Sequence, residues 1–342
     1  MLRLKKNILF ISIVAGLAVL LLTLHACTPT YPREGLADAV TMVCKDEYDM
    51  DVRVTVVGDT IGIYYPMKGL LDAGMGISKD AWDKISNLIL IASRVVLSTD
   101  AEIEFYCVIT QDVKLPELQV VIIKYVDDVK RGMYRNISRS ESFKRTLFSI
   151  NLTPQATKER SIETVFDKIG VDDATRQKVL NEFFRSTPTK LSDIGYWKGT
   201  FYLKDITEPE FLAAQMANRI KIDFRSEEDL GKFFVYKAAE GHYSESSGGK
   251  FFLISFKIAD ATTPEASGIN LREKKIEEMI KIANTVVYGY KFKDFDFLLL
   301  DDQLENAKIR INEKDLYEYN KTKLPVQDVV KAPSGYFIRG NP

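Results

Sequence analysis

The chain of 342 residues is long enough for two or three domains. Its 46 % hydrophobic and 28 % charged residues are the balance of a globular protein, which argues against a disordered or fibrous chain. With 47 basic and 48 acidic residues the net charge is −1, so nothing pulls the chain generally toward nucleic acid. Two histidines and three cysteines exclude a histidine-rich or a four-cysteine zinc centre.

Residues 1–27 have the layout of an export signal. Arg3, Lys5 and Lys6 form a basic start, and Ile8 to Leu24 is apolar apart from Ser12, Gly16 and Thr23. Leu24-His25-Ala26-Cys27 follows. This stretch resembles the signal and lipobox of bacterial lipoproteins, with His25 where a small or β-branched residue is usual. The resemblance covers these 27 residues only. It implies that Cys27 becomes the acylated N-terminus, carrying diacylglycerol and palmitate, and that the exported body is membrane-anchored. It also favours the periplasmic face of the outer membrane, because Thr28 stands where an inner-membrane retention signal would place Asp. The alternative is an uncleaved anchor helix, since about 17 apolar residues reach the lower limit for spanning a bilayer.

In chain order, Pro32 opens a helix carrying Leu36, Val40, Val43 and Cys44. Val52, Val54 and Val56 alternate with Arg53, Thr55 and Val57. Gly58-Asp59 fits a two-residue hairpin turn, and Thr60 to Tyr65 returns. Ser78 is a good N-cap for an amphipathic helix whose apolar stripe is Trp82, Ile85, Ile89, Ala92 and Val96, widened by Leu88 and Val95. After Ser98-Thr99-Asp100, the residues Ile103, Phe105, Cys107 and Ile109 alternate as in a half-buried strand. Leu118 to Val126 is a further strand. The order is αββαββ.

Residues 127–148 are charged and partly helical. Helices over 156–169, ended by Gly170, and after Asp172-Asp173 continue a connecting segment, and Trp197 to Leu203 reads as a strand leading out of it. Thr207-Glu208-Pro209 then opens a second αββαββ unit. It has strands over 233–238 and 251–258, a polar turn from Glu240 to Lys250, a helix capped by Asn270 with Glu273 three residues on, and closing strands over 295–300 and 307–311. Set against residues 85–96, residues 276–287 are identical at six positions: Ile85/Ile276, Ile89/Ile280, Ile91/Ile282, Ala92/Ala283, Val95/Val286 and Val96/Val287. Gly289 is placed to end that helix. This agreement suggests an internal duplication.

The expected fold class is therefore α+β, two similar αββαββ units with mostly antiparallel sheets packed by helices. The chain divides into a signal at 1–27, a first domain at 28–138, a helical connector at 139–203, a second domain at 204–320 and a tail at 321–342.

Chemistry is sparse. His242 is the one imidazole after the signal, and the polar turn around it points to a solvent-exposed side chain. Asp127-Asp128, Asp172-Asp173 and Asp301-Asp302 are the candidate carboxylate pairs, the second explained by helix capping and the third by a strand end. No phosphate loop or dinucleotide fingerprint calls for a cofactor, and no metal-ligand set occurs. Lys130, Arg131, Arg135, Arg139, Lys144 and Arg145 make a basic stretch, read as a solvated helix face with headgroup or sugar contact as the rival. Cys44 and Cys107 both face inward. In an exported chain they either pair or remain buried thiols.

These readings converge on a lipid-anchored envelope protein that holds a partner protein or envelope polymer, with no nucleic-acid partner. The rivals are a carboxylate enzyme acting on envelope polymers and a carrier of an apolar ligand.

Overall fold

A computed structural model describes residues 31–74, 76–183, 188–226, 230–262, 270–322 and 337–339. In chain order the helices are α1 (Leu36–Tyr48), α2 (Lys79–Val96), α3 (Val126–Met133), α4 (Arg139–Lys144), α5 (Pro154–Ile169), α6 (Asp173–Phe183), α7 (Glu208–Arg225), α8 (Leu271–Tyr290) and α9 (Glu313–Thr322). The strands of the first half are β1 (Arg53–Val57), β2 (Thr60–Met67), β3 (Phe105–Asp112), β4 (Leu118–Tyr125) and β5 (Leu147–Leu152). A short hairpin, β6 (Gly195–Trp197) and β7 (Thr200–Tyr202), precedes β8 (Phe234–Ser246), β9 (Gly249–Asp260), β10 (Phe297–Asp302), β11 (Ala307–Asn312) and β12 (Phe337–Arg339).

The fold is α+β, with two similar units. Their sheets run β1-β2-β3-β4-β5 and β8-β9-β10-β11-β12. In each, only the second and third strands are parallel, Thr60 lying opposite Phe105 in one and Phe251 opposite Phe297 in the other. A parallel pair needs a crossover, and α2 and α8 supply the two crossovers. The helix starts follow the local chemistry. Ser78 Oγ accepts from the Ala81 amide at 3.2 Å, and Asn270 Oδ1 accepts from the Glu273 amide at 3.3 Å. Of the aligned identical pairs, all but Ile89/Ile280 are buried in both helices; Ile280 is buried and Ile89 is half-buried. Trp82, expected in the stripe, is 41 % exposed and rests edge-on against Phe148, because Ala81 takes the inward position beside Ile85.

The layering differs from two separate domains. Helices α1 and α2 cover one face of the first sheet through Ile61, Ile63, Tyr106, Val108, Val120 and Ile122. The opposite face, with Phe105, Cys107, Ile109, Val121 and Ile123, shares a single core with α7, α8 and the second sheet. The Phe105 and Phe211 rings stand 5.2 Å apart across that junction. The molecule is thus stacked as helices, sheet, helices, sheet. Strand β3, expected to be half-buried, is buried at every residue because both of its faces are covered.

Several sequence expectations change accordingly. The 139–203 connector is not wholly helical: it contributes β5 to the first sheet, and Gly195 to Tyr202 forms a hairpin whose tip, Lys198-Gly199, takes positive φ. The first unit therefore extends past residue 138. The polar stretch after Glu240 is strand up to Ser246, held by pairing with the phenylalanine-rich β9. Gly289 does not end its helix; Lys291 takes the left-handed cap position. A Cβ on Gly289 would come within 2.9 Å of Arg145 Nη2, so the glycine admits a side chain of the first unit.

Candidate functional site

A cleft of about 430 Å³ opens where the units meet. One wall is the inner face of the first sheet at its last two strands, Val121 and Ile123 of β4 with Leu147, Phe148 and Ser149 of β5, and the other is the run from Ala239 to Ser244 of β8, the terminal strand of the second sheet. Side chains alternate between the faces of a strand, so consecutive residues line a space only when it follows the strand's edge. The floor is α7. Glu210, Ala214, Ala217, Asn218 and Lys221 recur at three- and four-residue spacing and so share one helical face. The alanines leave the room that the cleft occupies. The helix also lies hard against β8, since a Cβ on Gly241 would meet the Ala213 carbonyl oxygen at 1.9 Å.

The electrostatics of the cleft are uneven. Glu240 lies 3.5 Å from Lys190 Nζ and 3.5 Å from His242 Nε2. Glu210 accepts from Lys204 and from the Thr207 amide of its own capping box. Lys221 has no carboxylate partner among the described residues. Burial, and secondarily the neighbouring Arg225, lower its pKa from the usual lysine value. The Arg225 guanidinium lies over the Tyr236 ring at 4.9 Å, which marks that end of the cleft as cationic. Tyr243 donates to the Asp294 carbonyl at 2.7 Å and fixes the other end.

His242 is therefore not on a solvent-bathed turn. It sits on β8, opposite Leu253, with its side chain about one-third exposed. Cys27 lies outside the described residues. Cys44 and Cys107 are free buried thiols in different clusters, Cys44 on the inner face of α1 and Cys107 on the far face of β3. Burial pushes the Cys44 thiol up to about 11 and raises that of Cys107 as well.

The carboxylate pairs have structural partners. Asp127 bonds Arg131 at 2.8 Å, and Asp172 Oδ1 accepts from the Thr175 amide. Ser255 donates to Asp301, while buried Lys275 lies 2.8 Å from Asp302 and from Glu305. Asp128, 4 % exposed, accepts from Arg145 at 2.8 Å and from the Tyr290 hydroxyl.

The basic stretch is likewise not wholly a solvated face. Arg145 also bonds Glu141 at 2.7 Å, and Glu141 accepts from Arg219 of α7 at 2.6 Å. Arg131 donates to the Gly289 carbonyl at 2.7 Å, and Lys144 pairs with Asp223 at 3.3 Å. These bonds tie α3 and α4 to α7 and α8. They leave the cleft bounded by two units that are fixed to each other by charge as well as by apolar packing.

Sequence reading missed Lys221, Asn218 and Tyr236 as cleft residues. The available signal was the Ala213-Ala214…Ala217 run, small residues on a helix otherwise carrying Phe211, Leu212, Met216 and Ile220. Among the described residues no cluster of histidine, cysteine, aspartate and glutamate has a metal-binding arrangement, and no helix is long and apolar enough to cross a membrane. No family model, no curated protein and no solved structure matches this chain.

Proposed function

We propose that this chain is a lipid-anchored cell-envelope protein, held to the membrane through Cys27 with its body exported, and that it works by binding an envelope partner in the cleft between its units. The observation that carries the binding role is the cleft itself. Its volume lies in the range of ordinary ligand sites, about 300–1,000 Å³. It combines apolar walls at Val121, Ile123 and Leu147 with an uncompensated cation at Lys221. The anchor rests on Arg3, Lys5, Lys6 and Leu24-His25-Ala26-Cys27. The shared strand order and the six aligned identities support descent of both units from one duplicated ancestor.

Two measurements test the reading. Cys27→Ser releases the protein from the membrane fraction or leaves a longer precursor; unchanged fractionation and migration overturn the lipid anchor. A photo-crosslinking side chain placed at Ser149 in the intact chain gives discrete adducts with envelope components, and the same group at Lys168 on the exposed side of α5 does not. Equal labelling from both positions, or none from Ser149, removes the cleft from the binding role. Adducts consisting of lipid alone favour the carrier of an apolar ligand.

A further inference from the structure

The cleft has a property that a pocket for a compact molecule does not require: one of its walls is the unpaired edge strand β8, set against the inner face of the first sheet at Val121, Ile123, Leu147 and Ser149. Strand β8 is the last of its sheet and β5 the last of the other, and among the described residues neither outer edge pairs with another strand. In an antiparallel pair, alternate residues turn their N–H and C=O away from the partner, so the outer edge of β8 offers a row of donors and acceptors. From Ala239 to Ser244 that edge extends for ~17 Å at the usual rise of a strand. Open edges of this length are ordinarily blunted or covered, because they template pairing with another chain. Here the edge faces a groove with apolar walls and a helical floor.

Charge narrows the occupant. Glu240 is held between Lys190 and His242, and Glu210 is held by Lys204, so both of the groove's carboxylates are matched. Lys221 is left over, toward the end marked by Arg225 and Tyr236. A strand entering the groove satisfies it by bringing an acidic side chain or a C-terminal carboxylate.

We propose that the cleft takes an extended acidic peptide segment of a partner protein, which adds as a strand to the open edge of β8 and sets a carboxylate on Lys221. This rests on the partner-binding reading above and specifies the form of the partner. Main-chain bonds to β8 supply affinity, and alternate side chains meet Val121, Ile123, Leu147 and Ala217.

The test uses the purified full chain in detergent and an immobilised library of random octapeptides. Retained sequences are expected to alternate apolar and polar residues and to be enriched in aspartate and glutamate. Methylating alternate backbone nitrogens of a retained peptide, in the one of the two registers that faces β8, weakens binding about tenfold or more, because each N–H···O bond is lost without altering the protein. Lys221→Glu weakens the acidic peptides about tenfold, and Lys221→Gln does so to a lesser degree. Retained peptides insensitive to methylation in either register overturn strand addition. Equal retention by Lys221→Glu overturns the acidic requirement. If Ser149 crosslinks to an envelope protein yet no peptide is retained, partner binding stands and the strand proposal falls. If neither occurs, both fall.

Discussion

At the scale of single residues, the same chemistry has different consequences in different surroundings. Ile89 and Ile280 occupy equivalent places in α2 and α8, yet only Ile280 is fully buried. Ile280→Ala is expected to cost about 2–5 kcal/mol, the range for a buried isoleucine leaving an unfilled cavity. Ile89→Ala costs less, because water already reaches part of that side chain. Chemical denaturation of the two variants measures the difference, and equal losses refute the distinction. Cys44 and Cys107 give a second expectation. A thiol raised to about 11 is almost entirely protonated at pH 8, and the thiolate is the reactive form. Neither should react with iodoacetamide in the native protein. Both should react in guanidinium without added reductant, and a requirement for reductant reveals a bridge between them.

At the scale of elements, the contact of α7 with β8 is the least forgiving. The atom blocking a side chain at Gly241 is a backbone carbonyl inside a helix, which cannot swing aside. Gly241→Ala therefore has to lift α7 from the sheet and loosen Phe211, Leu212 and Met216, all fully buried. A loss above about 4 kcal/mol is expected, or failure to fold. Gly35→Ala, where nothing lies within 4 Å of the added carbon, serves as the control and costs at most about 1 kcal/mol. Much at this scale was legible in the sequence: the caps at Ser78 and Asn270, the turn at Gly58-Asp59 and the order of elements within each unit are written in local residue patterns. Strand β5 was not legible. Ser149 and Asn151 interrupt its apolar run, and charged helical residues precede it in the sequence. The far half of β8 was hidden for a similar reason, since its Gly and Ser residues become strand only through pairing with β9. Beyond the alanine run of α7 the cleft had no local signature, because its lining comes from five stretches spread over residues 121–244 and exists only once the units meet.

At the scale of the molecule, the two halves share one core. The shared core and the Arg145, Glu141 and Arg219 bonds cross the junction, so calorimetry should give a single transition, and both isoleucine variants should move it. The charge bonds also set an acid limit. Burial works against the Glu141 carboxylate, but hydrogen bonds from Arg219 and Arg145 outweigh it and hold its pKa below the usual glutamate value. Its stabilisation is thus complete above the unfolded value of about 4.3 and is lost as the pH falls through the lower folded value. Thermal midpoints taken from pH 7 to pH 3 should drop below about pH 4, and Glu141→Gln should flatten that part of the curve. The placement of α7 over the first sheet has one more consequence, and it concerns time. A growing chain completes β1 to β5 before any of α7 has been synthesised. During that interval Phe105, Ile109, Val121 and Ile123 line a sheet face whose cover does not yet exist. A fragment ending at residue 204 freezes the chain at that moment and should aggregate, whereas one extended through Arg225 regains the missing layer and should stay in solution longer. The first half of this protein is built to wait for the second.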